Sequence, residues 1–135
     1  MGKLQDFLAA NKVENAVTTE VEIKPFPFPF VVKTITEAEN KQITKSCQVS
    51  EFNKKTHRRE TQTDTQAYLS KLVVACTVDP NFKDAELQAA YGVVGAEALV
   101  EKLLTPGQYA ALLHAVNDIN SFDPDMQELV DEAKN

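Results

Sequence analysis

Apolar residues recur at helical spacing through the second half of the chain and alternate with polar ones near its start. Leu69, Leu72, Val73 and Cys76 fall at i, i+3, i+4 and i+7. This predicts a helix from about Asp64 that stops before Pro80, because the residue preceding a proline is driven out of helical geometry. Tyr109, Leu112, Leu113, Val116 and Ile119 mark a second buried stripe. Its start is well signalled: Thr105 as N-cap, Pro106 at the first helical position, Gln108 to close a capping box, and Leu104 against Tyr109 as a hydrophobic staple. Thr36 followed by Glu39 is the same box and predicts a helix from about Glu37 to Cys47. Asp84 caps a short helix bearing Leu87 and Tyr91 and ended by Gly92, and Ala96 to Leu104 form another. Asp123 and Pro124 repeat the start signal for a final acidic helix carrying Met126, Leu129 and Val130.

Before residue 36 the pattern is different. A short amphipathic piece, Leu4, Phe7 and Leu8, precedes the polar "NKVENAVTTE". Residues 1–20 are therefore expected to be a partly mobile arm with one anchoring turn. "VTTEVEIK" alternates and reads as strand, continuing to about Ile35. Inside that run stands "KPFPFPFVV", residues 24–32. Each proline removes an amide donor and excludes a helix interior. With the period of two of a β-strand, Phe26, Phe28 and Phe30 line one face, while the missing donors of Pro25, Pro27 and Pro29 fall on one edge. The expectation is an edge strand with an aromatic face. A proline-rich linker is the alternative, which the continuing apolar Val31, Val32 and Ile35 disfavour. "EFNKKTHRRETQTD" has no apolar periodicity and is expected to be a loop, or a hairpin with a polar tip. The fold class that follows is α+β, mainly helical. A small β-strand or hairpin element in residues 21–35 is followed, over residues 36–135, by a bundle of four to five short helices in a single domain.

Composition adds limits. At 135 residues, 43 % hydrophobic and 25 % charged, the chain is long enough to bury roughly two thirds of its unfolded surface without a metal or disulfide. No segment approaches the run of about 20 apolar residues that a membrane span requires. "MGKLQDFLAANK" carries a charge inside its short apolar patch and is not a secretory signal, so a cytoplasmic protein is expected. Cys47 and Cys76, in such a chain, read as reduced core residues. Residues 1–78 hold eleven Lys/Arg against nine Asp/Glu, net +2; residues 79–135 hold three against eleven, net −8. An acidic half argues against a nucleic-acid footprint there and suits a basic partner surface.

Catalysis needs a nucleophile, a base and a group to orient them, and the candidates are few. His114 sits mid-helix and His57 in the polar segment, with no C-x-x-C or H-x-x-x-H spacing for zinc. Gly107 belongs to a helix start rather than a phosphate loop. Lys54, Lys55, Arg58 and Arg59 form the one basic cluster. Such a cluster can hold phosphate or nucleic acid, but without neighbouring aromatics for base stacking it reads as a solvated loop. Glu128, Asp131 and Glu132 on the last helix are more simply a solvent face than paired acids. By elimination no enzyme is expected, and no catalytic, cofactor or metal site.

The order "ITEAENKQITKSC" and then "DTQAYLSKLVVACTVDPNFKDAELQAAYGVVGAEALVEKLLTPGQYAALLHAVNDINSFD" resembles the XkdN-like family of phage tail assembly chaperones over roughly residues 4–130. Its most specific parts are the helix start at Thr36 to Asn40, the stretch from Val78 to Leu87, "GAEALVEKLL" at Gly95 to Leu104, and the segment from Leu104 to Leu112. "KPFPFPF" departs from the more ordinary polar strand expected of the family at that place. The resemblance implies action in the host cytoplasm, where the protein would coat the largely helical tape measure protein, keep it soluble until the tail tube polymerises, and be absent from the finished virion. A structural tail or head–tail component retained in the virion is the alternative. The family also often makes a frameshifted longer form, and Ala133, Lys134 and Asn135 can be encoded by a slippery heptamer. A homo-oligomer is expected as well. The contacting residues are not given by family motif. On physical grounds Phe26, Phe28 and Phe30 are the candidates for self-association or groove lining, against core packing, and Glu128, Asp131 and Glu132 for tape-measure contact, against simple solvation.

Overall fold

The computed structural model of the chain describes residues 2–10 and 17–121. The order of elements is α1 (Lys3–Ala10), β1 (Thr18–Val21), β2 (Phe30–Lys33), α2 (Glu37–Ser46), β3 (Gln48–Asn53), β4 (Arg58–Thr63), α3 (Thr65–Cys76), β5 (Thr77–Asp79), α4 (Ala85–Ala90), α5 (Ala96–Leu103) and α6 (Pro106–Asn120). Two small antiparallel sheets result, one of order β1-β2-β5 and one formed by β3 and β4. The class is α+β, as the periodicity implies. The helices after residue 36 do not follow one another as an uninterrupted bundle, because β3, β4 and β5 lie among them.

At the centre of the molecule β2 packs against α6, and α6 against α3. Phe30 and Val32 alternate with Val31 and Lys33, and it is Phe30 and Val32 that are fully buried. They meet Leu69, Leu72 and Val73 of α3 and Leu112, Leu113 and Val116 of α6 in one core, which Phe82, Leu99 and Val100 extend. Full burial of each such side chain contributes about 1.5–3 kcal/mol. Both helical stripes read from the sequence therefore face inward, with Tyr109 and Ile119 half-buried at the ends of the second.

The helix starts expected from side-chain caps at Thr36, Asp84 and Thr105 are formed, and Asp64 caps α3 as well. The Thr36–Glu39 and Thr105–Gln108 boxes are both closed. The Asp64 carboxylate accepts from Ala67 N, and that of Asp84 from Glu86 N and Leu87 N. Gly92, just past α4, takes φ +69°, the left-handed conformation that makes glycine suitable there. Long-range hydrogen bonds then tie α6 to the sheet at both ends. Gln108 Nε2 donates to Lys24 O at 2.7 Å, and Asn120 Oδ1 accepts from Ile35 N at 2.9 Å.

One expectation needs correction, and two others are sharpened. The strand read as running from "VTTEVEIK" to Ile35 is two strands paired from Thr18↔Lys33 to Val21↔Phe30, with residues 22–29 as the connection. Pro25, Pro27 and Pro29 lie in that connection and in no strand. The polar stretch is a regular hairpin, paired from Gln48↔Thr63 to Asn53↔Arg58, resolving the choice left open by the sequence. The helix expected to stop before Pro80 ends at Cys76, and Thr77–Asp79 then pairs with β2 through Val32↔Thr77 and Val31↔Asp79. A third strand for the central sheet thus follows the helix with no loop between. The final helix expected from Asp123, with Glu128, Asp131 and Glu132, lies outside the described residues.

Candidate protein-interaction site

The first surface is aromatic. Phe26, Phe28 and Phe30 do come together, but on a folded-back connection and not along the face of a strand. Ring centroids lie 5.7 Å apart for Phe26 and Phe28, 5.2 Å for Phe26 and Phe30, and 6.1 Å for Phe28 and Phe30. A turn closed by Phe26 N donating to Ile23 O at 3.0 Å doubles the chain back. The three rings then grade from core to solvent: Phe30 is 0 % exposed, Phe26 half-buried and Phe28 47 % exposed. A cavity of about 590 Å³ opens beside Phe26 and Phe28, edged by Glu20, Glu22 and Lys24. Core packing thus accounts for Phe30, while Phe28 presents an aromatic face to solvent.

The second surface carried no sequence signal. Between α3, α5 and the start of α6 runs a groove of about 580 Å³. Ala67, Val100, Leu104 and Tyr109 make it apolar, and Asp64, Glu97 and Glu101 line it with acid against the single cation Lys71. Tyr109 sits with its hydroxyl 3.4 Å from Ser70 Oγ. Burial holds its phenol above the ordinary value, with the Ser70 hydrogen bond acting in the opposite direction. An apolar trough with an acidic rim suits a basic amphipathic segment. The residues are brought together from sequence positions 64 to 109 only by the packing of α3 against α5 and α6.

The basic cluster occupies the tip and β4 of the exposed hairpin. The expectation that it has no aromatic neighbour is corrected: Phe52 is exposed, stands opposite Arg59, and has its ring 6.4 Å from that of His57. Glu51 and Glu60 face one another across the same two strands and offset the positive charge. Like charges directly opposite also weaken a ladder.

Elsewhere the chemistry is that of a core. Cys47 and Cys76 are buried free thiols. Burial pushes Cys76 up to about 11, so at neutral pH it is a protonated small hydrophobe and no nucleophile. Among the described residues no group of three or more His, Cys, Asp or Glu is placed to hold a metal ion. No described helix is long and apolar enough to cross a membrane.

Comparison with known proteins places these surfaces in context. The profile of the phage XkdN-like tail assembly chaperone family matches residues 4–134. The chain is 33 % identical over 108 residues to the uncharacterized protein YqbN of Bacillus subtilis, covering 79 % of this chain and 72 % of that one. It is 28 % identical over 116 residues to the phage-like element PBSX protein XkdN of the same organism, covering 85 % and 78 %. The crystal structure of YqbN superposes with a TM-score of 0.67 at 25 % identity, over 91 % of this chain and 99 % of that one.

Proposed function

The chain belongs to the XkdN-like phage tail assembly chaperone family, and from that premise we propose that it binds the tape measure protein in the host cytoplasm. It holds that protein soluble while the tail is built and leaves before the virion is complete. The observation that carries the reading is the family match over nearly the whole chain. The physical character of the surface supports it. Two open concavities, a mainly apolar one edged by Tyr109 and one of mixed polar and aromatic lining edged by Phe28, offer docking places for the stripes of a long amphipathic helix. Many weakly bound copies along one rod give avidity without any single tight contact. Phe26 and Phe28 are the proposed client contacts at the first surface. Glu128, Asp131 and Glu132 remain proposed contacts for basic stretches of the same client.

Coexpression with the tape measure protein encoded beside it tests the reading. The soluble fraction of the client is expected to rise several-fold, and to fall back when Phe28 is changed to Asp. An unchanged client solubility with the unaltered chain would sink the proposal. Mass spectrometry of purified particles separates the alternative: stoichiometric amounts of the protein in the virion would make it a structural tail or head–tail component.

A further inference from the structure

The β3–β4 hairpin and the groove between α3, α5 and α6 are complementary in charge and in apolar character, and we propose that the hairpin of one copy docks into this groove of a second copy. Every residue of β3 and β4 except Asn53 is exposed. A two-stranded ribbon with water on both faces is only marginally stable by itself, so a cover over one face stabilises it. The pairing sorts the side chains, because directly opposed residues share a face. Phe52 and Arg59 lie on one face with Ser50 and Thr61, and Arg59 Nη1 donates to Ser50 Oγ at 3.5 Å. Glu51 and Glu60 lie on the other, where Glu60 Oε1 accepts from Asn53 Nδ2 at 3.0 Å. The first face thus presents a ring that is 56 % exposed and a guanidinium, with no acid beside them. Phenylalanine and arginine are both enriched where protein interfaces are buried.

Charge selects the partner. Residues 48–63 carry Lys54, Lys55, Arg58 and Arg59 against Glu51 and Glu60, net +2. The groove carries Asp64, Glu97 and Glu101 against Lys71, net −2, and Lys71 already donates to Ser46 Oγ at 3.1 Å. Docking sets Phe52 on the apolar floor of Ala67, Val100, Leu104 and Tyr109, and brings Arg59 to the Glu97 and Glu101 rim. The hairpin is formed before it binds, since Asn53 Oδ1 accepts from Lys55 N at 2.8 Å and fixes the tip. Its own groove is not the one it fills. Strand β4 ends at Thr63, beside the groove residue Asp64, and no residue of β3 or β4 lines the groove. Arg59, opposite Phe52, stands five positions before Asp64, about 17 Å along a strand. The ladder therefore holds the Phe52 end away from its own groove and free for a neighbour's. The groove is also one of the two docking places offered to the client, so hairpin and client compete for it. This inference does not rest on the tape measure reading.

Light-scattering mass over a dilution series tests it with the full chain. The unaltered protein should exceed its 15.0 kDa monomer mass at high concentration and dissociate on dilution, and sooner at raised ionic strength, which screens exposed charges. Phe52→Ser and Glu101→Arg each change an exposed side chain, one on the hairpin and one on the groove rim; circular dichroism checks that both variants fold. Each should associate about tenfold more weakly or worse. An equal mixture should regain association as a pair, since the intact hairpin of one variant meets the intact groove of the other. Arg59→Glu should weaken association as well, and Arg59→Glu with Glu101→Arg in one chain should restore it. A parent that is monomeric at every concentration overturns the proposal, including one whose groove takes only the client. Variants that associate like the parent overturn it, as do variants that stay monomeric when mixed.

Discussion

The rings of Phe26 and Phe30 lie 5.2 Å apart although the two residues are four positions apart in the chain. In an extended strand the same two positions would be about 13 Å apart. The fold-back therefore places Phe28 at the outside of an aromatic cluster whose inner member, Phe30, belongs to the core. Phe28→Asp is expected to change stability by no more than about 1 kcal/mol, the usual scale for exposed positions. Phe30→Ala should cost about 3–5 kcal/mol through the cavity it leaves. Urea denaturation of both variants checks this, and equal losses would mean that Phe28 is as much a core residue as Phe30.

Asn120 closes the C-terminal end of α6 onto the sheet. Its Oδ1 accepts from Ile35 N at 2.9 Å, and its Nδ2 donates to Val116 O at 2.9 Å. Removing the side chain leaves a partly buried amide without its acceptor, a loss of about 1–3 kcal/mol. Asn120→Ala should therefore lower the urea midpoint at unchanged m-value. Asn120→Asp keeps the acceptor for Ile35 and loses the donor, so an intermediate midpoint is expected.

At the other end of α6, Gln108 has two tasks. Its Oε1 accepts from Thr105 N at 2.9 Å in the capping box, while its Nε2 donates to Lys24 O at 2.7 Å, next to the proline segment. Thr105→Ala removes the cap alone and should cost about 1 kcal/mol. Gln108→Glu preserves the cap and deletes the long-range donor. A thermal melt should show Gln108→Glu destabilised even though its helix start is intact, with the loss concentrated in faster exchange of amides near Lys24.

Alkaline pH should unfold the protein earlier than its acidic net charge alone implies. Burial raises Tyr68 from 10.0 to about 12 and Cys76 from 9.0 to about 11. Both groups are neutral when protonated, so the unfolded state releases their protons first and gains from rising pH. Their contribution is fully present below pH 9, where even the unfolded thiol stays protonated. It is lost through pH 11 for Cys76, and between pH 10 and 12 for Tyr68. A Cys76→Val variant should keep a flat melting temperature to about pH 10, where the parent is already declining; identical profiles would contradict the assignment.

What the sequence determined by itself was local. The helix starts at Thr36, Asp84 and Thr105 were legible because each cap joins groups no more than three residues apart. The inward faces of α3 and α6 were legible because helical periodicity alone defines a stripe. Tertiary structure decided the rest. Strand β5 exists because Thr77–Asp79 finds an unpaired edge of β2, a fact about residues 31 and 32 that no local pattern carries. The proline segment reads as a strand by alternation, yet it turns back so that Phe30 can enter the core and Gln108 can reach Lys24. The groove has no sequence signature, since its floor and rim are assembled from three elements across more than forty residues. Caps and stripes are set by the spacing of a few covalent bonds, whereas edges, folds-back and grooves are set by which apolar faces exclude water together.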